Sequence, residues 1–178
     1  MSGNWSVVEA LRHARHDWMN DLQLIKGNLD LNRVDKAKQI IEEMVLKAQN
    51  ESKLSSLKLP NFIEWIMTYN WGKHSIQLEF EVLHIDSGHH LEEKVLLKWC
   101  QTFLNKIEEM VEPYAENHLS LSISVFQKEI CFIFDFTGIL NNKNELEDWL
   151  SKQKDQISIE LEVEDLQKEG FVFQVTLF

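Results

Sequence analysis

The chain is short of the residues that break, staple or open a fold. Its 178 residues include two prolines, two cysteines and six glycines. The cysteines, Cys100 and Cys131, have no CxxC spacing, so buried reduced thiols are expected in place of a disulfide or redox pair, as suits a cytoplasmic protein. The glycines stand at 3, 27, 72, 88, 138 and 170. No two are close enough for the GxG turn that brings backbone near nucleotide phosphates. No apolar run approaches membrane-spanning length, and the N-terminus lacks the basic and apolar regions of a signal peptide. Positive charge is scarce as well, the net charge being −11. Residues 1–57 are balanced at eight basic and eight acidic side chains and hold all three arginines, Arg12, Arg15 and Arg33. Residues 58–178 carry ten basic against twenty-one acidic side chains. Such a chain matches neither nucleic acid nor an anionic membrane surface.

Hydrophobic content of 44% with 26% charged residues indicates a soluble globular protein with a substantial core. From Trp5 to about Leu31 the pattern is helical, with Val8, Leu11, Trp18, Leu22, Ile25 and Leu29 on a 3-4 spacing and Arg15 in the one polar seam position. Leu31-Asn32-Arg33 makes a turn, with Asn32 as a candidate cap for the next helix. That helix runs to about Ser56 on a seam of Val34, Ala37, Ile41, Met44, Ala48 and Leu54. Met19, Ile40 and Val45 widen the apolar surface beyond one hairpin contact, which predicts dimerisation into a four-helix bundle. Pro60 places the domain boundary near residue 57, giving a hairpin domain at 1–57 and a second domain at 58–178.

The period changes after the boundary. A short helix is predicted over 61–73, a strand over 76–83, a long helix over 91–115, strands over 119–125 and 130–136, a helix over 143–153, and strands over 157–163 and 171–177. Apolar-in, polar-out alternation argues for a sheet covered on one face by helices, an α+β sandwich.

At 100° per residue, His16 shares its helix face with Glu9, Arg12, His13, Asn20 and Gln23, all polar, so its ring should meet solvent. An exposed neutral imidazole is a nucleophile able to form a covalent phosphoryl adduct. Asp17 can orient the ring or accept its proton, Asn20 can hydrogen-bond one turn on, and Arg12 and Arg15 can balance phosphate charge. A histidine beside an aspartate on a helix surface is also ordinary decoration, and spacing alone does not choose. His13 is a rival nucleophile without the adjacent acid. A metal site on His13 and His16 lacks further ligands, since the adjacent pair His89-His90 cannot readily chelate together.

The string His16-Asp17-x-x-Asn20-x-Leu22-x-x-Ile25, continued through Gly27 and Leu29, resembles the phosphoacceptor-helix motif of sensor kinases of the sporulation-phosphotransferase type. Glu42-Glu43-Met44-Val45 and Glu51-Ser52-Lys53-Leu54-Ser55 extend the likeness, which is strongest over residues 11–83 and architectural beyond. The lead-in before His16 is short, leaving little room for extra N-terminal structure. The resemblance implies that His16 is the phosphorylated histidine, and that the protein is a dimer built on a four-helix bundle. It further implies transfer from the aspartate of a single-domain response regulator to that of a transcription-factor response regulator, in sporulation initiation. Asp17, Arg15 and Asn20 would support the reaction, and Arg12, His13, Gln23 and Lys26 would dock the partner. No cofactor is expected of the chain itself, Mg²⁺ arriving with the receiver.

The second domain is similar in element order to the ATP-binding domain of histidine kinases. Asp135-Phe136-Thr137-Gly138 is at best a relic of a DxGxG element, and one Asn105 on the long helix is a weak signal. A degenerate domain without nucleotide is therefore expected. An ATP-dependent kinase core lacking its sensor and a non-catalytic response-regulator adaptor are the alternatives.

Overall fold

A computed structural model describes residues 5–87, 92–153 and 159–178. His89 and His90 lie outside the described residues, as does the expected start of a strand at 157. The backbone divides into two compact units, Met1–Ser52 and Lys53–Phe178.

The first unit is a helical hairpin of α1 (Val7–Asp30) and most of α2 (Val34–Ser55). Asn32, expected to cap α2, instead terminates α1. It adopts a left-handed φ of 54°. Its N–H donates to the Leu29 carbonyl at 2.9 Å and the Arg33 N–H to the Asn28 carbonyl at 2.8 Å. These paired bonds close the helix by satisfying carbonyls that its last turn leaves free, and asparagine tolerates the left-handed region they require. Ala10, His13, Asp17, Asp21, Ile25 and Asn28 form the half-buried stripe of α1, while Ala37 is buried and Ile40 and Met44 are half-buried on α2. The apolar seam of α1 lies elsewhere: Leu11, Trp18, Leu22 and Leu29 are exposed, and no residue of α1 is buried.

The second unit begins inside the last turn of α2, because Leu54, Leu57 and Leu59 insert into its core. α3 (Pro60–Thr68) follows, with proline in its first turn, and a 3₁₀ turn (Tyr69–Trp71) replaces the rest of the helix expected to residue 73. Then come β1 (Gln77–Ile85), α4 (Glu93–Glu108), β2 (His118–Val125), β3 (Ile130–Thr137), α5 (Lys143–Gln153), β4 (Ile159–Leu166) and β5 (Gly170–Leu177). The strands form one mixed sheet ordered β1-β2-β3-β5-β4, with β1 parallel to β2 and the other neighbours antiparallel. The alternating residues Leu119, Leu121, Ile123, Phe132, Phe134, Phe136, Phe171 and Phe173 face the helices and are buried. Ser120, Ser122, Asp135, Glu160 and Glu162 lie on the other face. This is the α+β arrangement that the alternation predicts.

α4 ends well before the expected residue 115. Glu112 precedes proline, which disfavours helical backbone, and its N–H donates to Ile139 while Val111 bridges Leu140. β1 and β4 both outrun their alternation because an irregularity absorbs one residue, between Val82 and His84 and between Val163 and Asp165. Both cysteines are free. Cys100 is buried as expected, and burial pushes its thiol up, whereas Cys131 is only half-buried on the open sheet face.

Candidate functional site

The site begins with the way α1 starts. Ser6 caps it: the Glu9 N–H donates to Ser6 Oγ at 3.3 Å, and the Ser6 N–H donates back to Glu9 Oε2 at 2.9 Å. This reciprocal box satisfies two donors that a helix start otherwise leaves open. The hydroxyl of Ser6, which also donates to Glu9, holds that carboxyl below its ordinary value. Just ahead of the cap, Trp5 packs edge-on against the His13 ring, centroids 5.0 Å apart and planes at 78°. His13 is half-buried and already engaged.

One turn further His16 stands clear, its side chain 71% exposed. Asp17 Oδ1 lies 3.3 Å from His16 Nδ1, and Asn20 Nδ2 lies 3.3 Å from the same nitrogen. Among the described residues nothing bonds Nε2. The consequence is tautomeric. When Nδ1 carries the proton it donates to Asp17, and Nε2 presents a lone pair outward. When Nδ1 is bare it accepts from Asn20, and Nε2 is protonated and not nucleophilic. Asp17 and Asn20, equally distant, thus favour opposite tautomers.

Of the residues expected around His16, the structure brings together Asp17 and Asn20. Arg12 and Gln23 share its face within about 40° of helical rotation, and both are exposed. Arg15 and Lys26 lie about 80–100° away, beside the apolar seam, also exposed. The contact of Trp5 with His13 had no sequence signal, since aromatic-histidine pairing across a cap has no fixed spacing.

In the second unit the DxGxG-like turn is occupied by its own chain. A Cβ on Gly138 would lie 2.4 Å from Asn117 Oδ1. That oxygen accepts from the Ile139 N–H at 3.2 Å, while the Asn117 amide donates to the Ser75 and Glu112 carbonyls at 3.1 and 2.9 Å. Gly138 is required by this close packing. Among the described residues no cluster of three or more histidine, cysteine or acidic side chains could hold a metal ion, and no helix is long and apolar enough to cross a membrane.

A helical hairpin presenting an exposed histidine with an acidic neighbour, joined to a mixed five-stranded sheet with helices, defines a two-unit α+β protein of histidine-bearing type. Residues 4–57 match the model of the sensor kinase SpoOB-type alpha-helical domain, and residues 58–177 match that of the sporulation initiation phosphotransferase B C-terminal domain. The chain belongs to the sporulation initiation phosphotransferase B family. It is 37% identical over 144 residues to the sporulation initiation phosphotransferase B of Bacillus subtilis (strain 168), covering 80% of this chain and 75% of the relative. Solved structures are similar at lower identity. The catalytic domain of histidine kinase ThkA is 11% identical with a TM-score of 0.45, covering 72% of this chain and 93% of that one. The Acinetobacter baumannii histidine kinase AdeS is 9% identical with a TM-score of 0.42, covering 91% and 96%.

Proposed function

We propose that the chain is a histidine phosphotransferase of a phosphorelay, with His16 alternately receiving and donating a phosphoryl group. The observation that carries the reading is the 71% exposed imidazole whose Nδ1 lies 3.3 Å from both Asp17 Oδ1 and Asn20 Nδ2, leaving Nε2 without a protein partner among the described residues. Membership of a phosphotransferase family supports it. In the forward step Nε2 attacks the phosphorus of an aspartyl phosphate. The N–P bond forms, the P–O bond to the carboxylate breaks, and the carboxylate leaves with the electron pair. The ring, now phosphorylated at Nε2 and still protonated at Nδ1, is cationic, and Asp17 stabilises that charge. Return to a second aspartate reverses the steps. The transition state is loose, so positioning and charge balance are what the protein supplies. Arg12, one turn from His16, is placed to meet phosphate oxygens. Arg15 and Lys26 serve the partner at the flank of the helix, and Gln23 and His13 border its footprint.

On this reading the partners are a single-domain response regulator as donor and a transcription-factor response regulator as acceptor. Mg²⁺ comes with the receiver's acidic pocket, the protein works as a cytoplasmic homodimer, and its role is in sporulation initiation. The kinase alternative requires ATP on the second unit, where Gly138 is spent on Asn117 and the net charge of residues 58–178 is −11. Titration with Mg-ATP in a calorimeter is expected to show no saturable binding.

Transfer of labelled phosphate from a phosphorylated receiver domain tests the function itself. The label is expected on His16, lost in acid and kept in alkali. A protein that binds the receiver but takes no label is the adaptor, and the phosphotransferase reading then falls.

A further inference from the structure

An open sheet has two edges, and among the described residues this chain closes only one of them. At β1 the Asn70 side chain takes both backbone groups of Leu78: its Nδ2 donates to the Leu78 carbonyl at 2.6 Å, and its Oδ1 accepts from the Leu78 N–H at 3.0 Å. Further along the same strand, Lys53 Nζ donates to the Val82 carbonyl at 3.1 Å. These bonds occupy edge groups that would otherwise pair with another strand. β4 forms the opposite edge, and among the described residues no side chain bonds its backbone. The two faces of β4 differ sharply. Leu161 is buried and Val163 half-buried against the core, while Glu160, Glu162 and Glu164 are exposed. None of the five strands contains a lysine or arginine. Among the described residues no ion pair or side-chain hydrogen bond engages these carboxylates.

We infer that the open edge of β4 is a docking surface for an extended segment of another protein in which basic and apolar residues alternate. Such a segment adds a strand to the sheet. Its backbone takes up the unpaired groups of β4, its basic side chains stand beside Glu160 and Glu162, and its apolar side chains extend the core past Leu161 and Val163. The regular stretch from Ile159 to Val163, before the irregularity at Val163 and Asp165, is about 17 Å long and takes about five partner residues. A second copy of this chain does not suit the edge, because β4 laid against β4 sets glutamate beside glutamate. The acids therefore bar pairing between like edges and admit a cationic strand. The surface belongs to the second unit and does not depend on chemistry at His16.

A fluorescein-labelled peptide, acetyl-Lys-Val-Lys-Val-Lys-Val-Lys-amide, probes the edge in the whole chain. Anisotropy should show saturable binding, and amide exchange should slow across Ile159 to Val163 but not across β1. A peptide with glutamate in place of each lysine should not bind. Glu160→Lys combined with Glu162→Lys, both at exposed positions, should weaken the lysine peptide by about tenfold or more and gain the glutamate peptide. The fully N-methylated lysine peptide keeps every charge but has no amide to donate, and should not bind. Absence of saturable binding overturns the inference. So does equal binding of the N-methylated peptide, which is charge attraction alone, or protection that appears on β1 instead. Concentration-dependent protection of β4 without peptide would give the edge to a second copy and overturn it too.

Discussion

Asp17 and Asn20 both lie 3.3 Å from His16 Nδ1, and that nitrogen can satisfy only one of them at a time. The choice sets which tautomer the ring presents, so the two neighbours act in opposite directions on the same atom. Removing the charge of Asp17 while keeping its shape should weaken the reactive tautomer and the phosphorylated cation together. Asp17→Asn is expected to slow transfer by about 10–10²-fold with an unchanged melting temperature, measured by single-turnover labelling. His16→Ala, on an exposed helix face, should alter stability by no more than about 0.5 kcal/mol and abolish labelling altogether. His13→Ala should keep the label, and labelled His16→Ala would shift the assignment to His13. The exposure of His16 was legible because every neighbour on its face is polar. The Nδ1 pairing was legible only as a possibility, since one-turn spacing brings Asn20 within reach without fixing which nitrogen it meets.

At the scale of elements, the ends of helices are where sequence and structure part. The seams and alternations gave every helix and strand, because burial imposes periods of 3.6 and 2 that are visible in the order of residues. Where an element stops depends on partners distant in the chain. α4 halts at Glu108, short of Pro113, and Ile139 and Leu140 pair with the backbone of Glu112 and Val111; the proline bars helix at Glu112, but no local signal announces a bond across that distance. Asn32 looked like the start of α2, since asparagine is favoured both as an N-cap and in the left-handed turn that ends a helix. Its actual role predicts a test: Asn32→Ala should cost about 1 kcal/mol by thermal melting, and Asn32→Gly should be neutral or stabilising. An N-cap role would instead make both substitutions destabilising, so a glycine variant more stable than wild type separates the two. α3 offers a pH dependence. Glu93, from the first turn of α4, accepts from the Asn61 and Phe62 N–H groups at 2.6 and 3.1 Å and from the Asn61 side chain at 2.8 Å. Partial desolvation raises its pKa, but these hydrogen bonds from the Asn61 side chain and the two amides outweigh it, and the carboxyl sits below its ordinary value. A lowered folded pKa contributes stability above the unfolded carboxylate's pKa, and that contribution is lost as pH falls through the folded value. Melting temperature should therefore drop on acidification through the carboxylate range, and Glu93→Gln should flatten that drop while lowering stability at neutral pH.

For the whole molecule, the unsettled energetics belong to the hairpin. The second unit buries a continuous core of aromatic and aliphatic side chains. The hairpin has no such core: α1 buries nothing, while Leu11, Trp18, Leu22, Ile41 and Val45 are each at least 47% exposed. Exposed apolar surface on this scale marks an interaction site, and the 3-4 spacing on both helices is the pattern of a bundle seam. A second copy supplies the matching seam by symmetry, which no unrelated partner is obliged to do. The protein is therefore expected to sediment as a dimer of 21.0 kDa chains at micromolar concentration. Leu22→Glu together with Ile41→Glu should convert it to a monomer, because four carboxylates per bundle core would be buried without partners. The helical signal in circular dichroism should fall with the dimer, since a two-helix hairpin of this length is marginal alone, while the signature of the sheet persists. Stable wild-type monomers with full helicity at that concentration would show that the seam is covered by something other than a second chain.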